Sequence, residues 1–179
     1  MGFQMPSAAP QAGPAGLVYA DVPNRIIAYI IDIIILAVVN FIIGAILVAV
    51  SFGTATIGIG WIVWVLISLA INAGYFIYTW TAMRGTVGMK VLGMQIGNAG
   101  DGKTLTMDQA IRRWLFVGGW IALLNLVTSV LGFVGLLLAL VGLLYEIYLL
   151  YTTAQSPTKQ GFHDIQAHTQ VVKSTRAVG

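Results

Sequence analysis

The sequence predicts an all-α membrane protein, a four-helix transmembrane bundle with a small cytoplasmic cap. Composition, the length of the apolar runs and the placement of the basic residues lead to this prediction. Apolar residues make up 58% of the chain and charged residues only 8%, whereas soluble domains carry about a quarter charged residues. Because so few charges cannot cover a water-facing surface, we expect the lipid bilayer to surround much of this chain.

The first half of the chain contains two apolar segments that are long enough to cross a membrane. A membrane-spanning helix needs about 20 residues. Residues 26–50 carry a single charge, Asp32, and residues 61–80 carry none. The segment between them, 51–60, is uncharged and rich in Gly and Thr. We therefore predict two spans joined by a short turn at 51–60.

The second half contains one apolar run from Trp114 to Tyr151. As a single helix it would be about 57 Å long at ~1.5 Å per residue, nearly twice the thickness of the hydrocarbon core. It is therefore predicted to fold back at residues 128–135. That turn gives a third span near 114–129 and a fourth near 135–151.

The basic residues all lie on one side of this arrangement. Arg25 precedes the first span, five of the nine Lys and Arg residues lie in the loop 81–113, and the others follow the fourth span. Cytoplasmic loops are enriched in Lys and Arg, so we expect both termini in the cytoplasm. With three spans, the basic residues of the C-terminal segment would lie outside.

The loop and the C-terminal segment are expected to form the cap. Residues 91–98 followed by a Gly-rich turn in 100–106 indicate a short β-hairpin, to which 168–173 can add a strand. Thr106 and Gln109 have the spacing of a capping box. This box predicts an amphipathic helix that leads into the third span.

Composition and motifs argue against several functions. The chain has no cysteine, which excludes disulfides and thiolate chemistry. His163, Asp164 and His168 are too few to predict a metal site, and Gly85 to Lys90 lacks the spacing of a phosphate loop. The basic residues are not grouped with aromatics, so nucleic acid is not an expected partner. We expect no enzyme activity, no catalytic residues and no cofactor.

Two ionisable residues share one face of the first span. Arg25 and Asp32 are seven residues apart, or about 10 Å along a helix, too far for an easy direct pair. Because ionisable groups in a membrane are costly, each is expected to bind a partner on another helix. In one interpretation Asp32 pairs with an arginine; in the other it binds a cation or carries a proton.

Small and polar residues form stripes at helical spacing on the other spans. Such stripes are typical of close helix packing. Asp32 and Glu146 fall at a similar depth, however, and two neighbouring carboxylates can share a proton. The stripes are Ser68, Asn72, Tyr75 and Thr79; Gly118, Ala122, Asn125 and Ser129; and Gly135, Ala139, Gly142 and Glu146.

Four motifs, in order along the chain, resemble the RDD family of bacterial membrane proteins, which is named for one arginine and two aspartates. The opening motif matches at Arg25 and Asp32. The closing motif matches at 159–172, which makes Asp164 the second aspartate, with His168 where a Gly often stands. GTVGMKVLGMQI at 85–96 is similar to the family's G-T-x-G-K segment with Met89 before Lys90, and LTMDQAIRR at 105–113 is similar to a segment that ends in an arginine, here Arg113.

The resemblance implies a membrane domain at 21–173, followed by a C-terminal tail at 174–179. Residues 1–20 are rich in Gly, Pro, Ala and Gln, which predicts a disordered cytoplasmic tail. It also implies a bacterial inner (cytoplasmic) membrane location and a role associated with transport. The candidate ion, proton or ion-pair network comprises Arg25, Asp32, Arg113, Glu146 and Asp164, with Asn72 and Asn125 in the polar stripes.

Two functions remain open from the sequence. The first is binding or translocation of a cation or proton through Asp32 and Glu146. The alternative is a non-catalytic accessory or assembly subunit of a larger membrane complex. Because four short helices leave little room for a transport path, we expect a homo-oligomer or a larger membrane complex in either case.

Overall fold

The computed structural model describes residues 18–54, 57–120 and 133–173. These residues form mainly helices, with two short strands. The helices are α1 (Val22–Thr54), α2 (Ile57–Ala82), α3 (Val87–Val91), α4 (Met107–Trp114), which continues into a π-helical turn (Leu115–Gly119), α5 (Phe133–Gln155) and α6 (Phe162–Gln166); the strands are β1 (Met94–Asn98) and β2 (Thr169–Lys173).

Three helices in the described part of the chain are long and apolar enough to cross a membrane. They are Val22–Thr54, Gly58–Ala82 and Leu137–Gln155. Large apolar side chains cover their outer surfaces, and Phe41, for example, is 77% exposed. Such a surface matches lipid, so the predicted membrane architecture is confirmed. Because the predicted third span falls mostly outside the described residues, the count of four stays a prediction.

The connection between α1 and α2 is shorter than the predicted turn at 51–60. Helix α1 continues through Thr54, and α2 begins at Ile57. The Thr54 hydroxyl donates to the Val50 carbonyl at 2.9 Å, which satisfies a polar group within the helix. Ser51 is buried against Gly60, where a side chain on the glycine would clash. This close contact lets the helices approach each other directly.

The two strands pair antiparallel, with Met94 opposite Lys173 and Asn98 opposite Thr169. The predicted hairpin between 91–98 and 100–106 is therefore wrong, whereas the added strand at the C-terminal end is present. After β1 the chain turns tightly, and Asn98 N–H donates to the Lys103 carbonyl at 2.9 Å. It then leaves the sheet for α4, so β2 takes the place beside β1.

The residues just before α1 also join the sheet. Tyr19 pairs with Val172, and Ala20 N–H donates to the Val171 carbonyl at 3.0 Å. The folded part thus includes residues that the sequence analysis placed at the end of the disordered tail. The rest of that tail lies outside the described residues.

Helices α3, α4 and α6 and the two strands form the cap. Its core contains Met94, Ile96 and Val171, each at most 2% exposed. The capping box of Thr106 and Gln109 is present at the start of α4, as predicted. It fixes the helix so that its buried face points into the core and its charged face points outward.

Candidate functional site

The carboxylate of Asp164 is the centre of a buried ionic cluster. Arg25 Nη1 donates to Asp164 Oδ2 at 2.7 Å, and Arg113 Nη1 donates to Oδ1. The Thr169 hydroxyl donates to Oδ1 at 3.1 Å, and Gly161 N–H, at the start of α6, donates to Oδ2 at 3.2 Å. Asp164 is fully buried. We call these five residues the Asp164 cluster.

The electrostatics of the cluster fix its charge state. Burial by itself would raise the pKa of Asp164, but Arg113 and Arg25 outweigh it and hold that pKa well below its usual range. His163 Nε2 lies 3.4 Å from Asp164. Burial lowers the pKa of His163 to about 3, because it outweighs the opposing effect of the Asp164 carboxylate and the two arginines add to the lowering. At neutral pH the cluster therefore contains an ionised carboxylate and two guanidinium groups, and the imidazole of His163 beside it is neutral.

The remaining donors of the arginines tie the cap to the long helices. Arg25 Nε donates to the Ala20 carbonyl at 3.2 Å and Nη2 to the Val171 carbonyl at 3.4 Å. The guanidinium of Arg113 lies 5.1 Å from the ring centre of Trp80 on α2, a cation–π distance. The cluster thus joins α1, α2, α4, α6 and the sheet.

Asp32, in the first third of α1, is held without an arginine. Its Oδ1 accepts from the Tyr75 hydroxyl at 2.7 Å and from Gly88 N–H at 2.8 Å. The Tyr75 oxygen in turn accepts from Val87 N–H at 3.2 Å. Asp32 is 2% exposed. We call Asp32, Tyr75, Val87 and Gly88 the Asp32 clamp, because together they join α1, α2 and α3.

The segment G-T-V-G builds one half of this clamp. Thr86 caps α3, its side chain accepting from Met89 N–H at 3.2 Å. Gly88 packs so closely on α1 that an added Cβ would overlap the Ala28 carbonyl. Only glycine lets the α3 backbone come near enough to donate to Asp32.

A cavity of about 260 Å³ lies between the helices and the cap. It brings together Arg25, Asp32, Arg113 and Glu146 of the predicted network, while Asp164 holds the two arginines from behind. Glu146 is partly buried, and none of the described side chains donates a hydrogen bond to it or forms an ion pair with it. It therefore differs from the other two carboxylates, which have fixed partners.

The RDD family model matches residues 19–168. This chain belongs to the RDD family. Neither the curated proteins nor the solved structures include a match. In this RDD protein the arginine and the two aspartates of the family pattern fall into two separate networks. Arg25 and Asp164 meet across 139 residues of sequence, whereas Asp32 belongs to the clamp.

Of the two interpretations of Asp32, the pairing with an arginine is wrong within the described part of this RDD protein. Arg25 and Arg113, the two arginines of the predicted network, bind Asp164 instead. Sequence reasoning missed the role of Gly88 and treated Tyr75 as one residue of a packing stripe. The signal for Gly88 lay in the G-T-V-G motif, whose backbone donors can bind a carboxylate.

In the stripe on α2, Asn72, Tyr75 and Thr79 have hydrogen-bond partners, whereas the buried Ser68 hydroxyl has none among the described residues. Trp114 Nε1 donates to Asn72 Oδ1 at 2.8 Å, which ties α4 to α2. Asn125 and most of its stripe lie outside the described residues. Gly142 is buried on α5. Among the described residues, no group of three or more His, Cys, Asp or Glu side chains is placed to hold a metal ion.

Proposed function

We propose that this RDD protein has a transport-associated role and that its cavity binds a cation or a proton through Asp32 and Glu146. Glu146 carries this proposal. It is a carboxylate on a membrane-spanning helix that lines a cavity without a protein partner among the described residues. Because an unpaired charge in a membrane is costly, such a group usually serves a functional pathway. A bound cation or proton would offset that cost.

The two carboxylates would have different tasks in this mechanism. Asp32 is fixed in place by the clamp, so it would provide a constant negative potential. Glu146 has no such restraint and would gain or release the cation. Asp164 engages both nearby arginines, which keeps them from pairing with Glu146. The buried cluster would thus preserve the free carboxylate.

A reconstituted system tests this role. Purified protein in proteoliposomes should move protons or a cation when a gradient is imposed, measured with a pH-sensitive dye inside the vesicles and by cation uptake. Glu146→Gln should abolish the flux. Asp108→Asn is the matched control, because Asp108 is an exposed carboxylate that pairs with Arg112 outside the cavity. Flux that survives Glu146→Gln unchanged would contradict the proposed site.

An accessory role in a larger membrane complex is the second candidate, and the open side of the cavity favours it. Ile26, Ile30 and Leu150 line the cavity and are 36–51% exposed, so another helix could pack there. Co-purification in mild detergent separates the candidates. A stoichiometric complex with other proteins supports the accessory role, and a homo-oligomer whose stability depends on cations supports transport.

The proposed topology has four spans, both termini in the cytoplasm and a location in the bacterial inner membrane. The one-sided distribution of Lys and Arg supports it. A reporter fused after Gly179 and another inserted near Gly102 should both give cytoplasmic signals. If the reporter near Gly102 is cytoplasmic and the C-terminal reporter is external, the four-span topology is wrong.

A further inference from the structure

The walls of the cavity differ from those of a site for a small inorganic ion. Alkali and alkaline-earth cations are held by several oxygen ligands that replace their water. Here Asp32 Oδ1 already accepts two hydrogen bonds. Glu146 and Asp32 Oδ2 supply the carboxylate oxygens that remain. A dehydrated Na⁺ or K⁺ would be poorly coordinated.

Aromatic rings form a continuous part of the wall. Tyr29 and Phe76 stack with ring centres 6.2 Å apart, and Phe76 and Trp80 are 5.3 Å apart. All three residues line the cavity. The guanidinium of Arg113 already lies over the Trp80 ring, so Tyr29 and Phe76 provide the faces that remain. Aromatic faces attract organic cations, above all quaternary ammonium groups. Such faces beside carboxylates therefore suit a positive charge that carries an apolar shell.

From these observations we propose that the cavity binds an organic cation with an apolar body, such as a substituted ammonium compound. This inference rests on the proposed function and names its substrate class. The positive charge would lie near Glu146 and Asp32 Oδ2, and the apolar body would lie against Tyr29 and Phe76. Because the exposed rim residues Ile26 and Ile30 face the lipid side, the ligand would enter from the bilayer.

Direct binding to the full-length protein in detergent tests the inference. Benzyltrimethylammonium is a suitable probe because it joins a quaternary ammonium group to one phenyl ring. Isothermal titration calorimetry should detect it, while benzenesulfonate, an anion of similar shape, should not bind. Glu146→Gln should weaken binding about tenfold or more, since it removes a charge from a largely desolvated site. Asp108→Asn should bind as the wild type does.

A second pair of variants isolates the aromatic contribution. Tyr29→Phe keeps the ring and should keep most of the affinity. Tyr29→Leu keeps an apolar side chain but removes the ring, and should weaken binding several-fold. Tyr29 is 36% exposed, so both variants should fold. Melting temperatures equal to that of the wild type verify this.

Several results would overturn the inference. They are equal binding of benzenesulfonate, no binding of benzyltrimethylammonium, unchanged affinity in Glu146→Gln, and complete displacement of the probe by Na⁺ or K⁺ at equal concentration. The outcome is distinguishable from that of the flux experiment. Flux of protons or Na⁺ without binding of the organic cation removes this inference alone. Binding of the probe without flux of protons, of inorganic cations or of the probe itself removes the proposed transport alone.

Discussion

Asp164 and Asp32 are both buried carboxylates of this protein, but different groups stabilise them. Asp164 lies between two guanidinium groups, Arg25 and Arg113. Asp32 accepts one hydrogen bond from a hydroxyl and one from a backbone amide. A carboxylate between two arginines is already neutralised, so it holds structure together. A carboxylate held by a hydroxyl and a backbone amide has no counter-charge of its own among the described residues.

Glu146 extends this comparison, because among the described side chains it has neither kind of partner. The three carboxylates thus differ in their partners: Asp164 is ion-paired, Asp32 is hydrogen-bonded, and Glu146 on α5 has neither kind of partner among the described side chains. Stability should depend most on Asp164, and any cation-dependent function should depend most on Glu146. The following predictions test this separation.

The largest effect is expected from Asp164→Asn. The change leaves Arg25 and Arg113 buried beside a neutral amide, and breaking a buried ion pair typically costs ~3–5 kcal/mol. The variant should therefore accumulate poorly and melt far below the wild type in detergent. Asp108→Asn removes an exposed partner of Arg112 and should cost less than ~1 kcal/mol. Equal stability of the two variants would show that the cluster does not hold the cap.

The next largest effect is the dependence of folding stability on pH that His163 causes. Its pKa is about 3 in the folded protein, against an ordinary value of 6.5. Between these values the unfolded chain binds a proton at this residue that the folded chain does not, so the contribution of His163 to stability falls as the pH is lowered below 6.5. This contribution should approach about 1.4 kcal/mol per pH unit, measured as the difference in slope between the wild type and His163→Gln.

Melting curves between pH 7.5 and 4.5 measure this slope. His163→Gln should reduce it, because glutamine does not titrate. Asp164, whose pKa is also lowered, loses its stabilising contribution only below about pH 4, outside this range. His168→Asn is the control, since His168 is exposed and has the positive φ that asparagine tolerates. A wild-type slope in His163→Gln would mean that the imidazole is not kept neutral by its surroundings.

Local patterns of the chain predicted much of this fold. The long apolar runs gave α1, α2 and α5, and the spacing of Thr106 and Gln109 gave the start of α4. The family motifs pointed to Arg25, Asp32 and Asp164. These signals are short-range, so each can be interpreted within a few turns of helix or from one motif.

The pairing of these residues could not be predicted from the sequence. Arg25 is seven residues from Asp32 but binds Asp164, 139 residues away, and nothing local in the chain encodes that choice. The partner of Asp32 is partly the backbone N–H of Gly88, and a backbone donor has no side-chain signature. The predicted hairpin was also wrong because the partner of a strand depends on distant parts of the chain. Here β1 pairs with β2, whose residues follow more than 70 positions later.

A smaller effect is expected from Gly88→Ala. The new Cβ would overlap the Ala28 carbonyl, so α3 must move away from α1 and lengthen its bond to Asp32. Overpacking of this kind typically costs ~1–3 kcal/mol. Gly74→Ala is the matched control, because Gly74 lies on α2 with nothing within 4 Å of an added Cβ. It should be neutral or slightly stabilising in a thermal melt, since alanine favours helix. Equal losses in both variants would contradict close α1–α3 contact.

The smallest effect on stability is expected from Asp32→Asn. The asparagine oxygen can still accept from Tyr75 and Gly88, so the clamp loses only the extra strength of hydrogen bonds to a charged acceptor, about 1 kcal/mol. Asp32→Ala is the informative control, because it leaves both donors unsatisfied at a cost of ~1–3 kcal/mol each. Thermal melts should therefore rank the wild type first, Asp32→Asn second and Asp32→Ala last.

Comparing the stability loss of Asp32→Asn with that of Asp164→Asn shows whether Asp32 is held by an ion pair or by neutral hydrogen-bond donors. If Asp32 were half of an ion pair, its asparagine variant would lose as much stability as Asp164→Asn does, because each would leave a buried arginine unpaired. If dipoles hold it, Asp32→Asn stays folded and abundant, and its binding of benzyltrimethylammonium in detergent becomes measurable. A folded Asp32→Asn protein with wild-type affinity for the probe would leave Glu146 as the counter-charge of the cavity and assign Asp32 to structure alone.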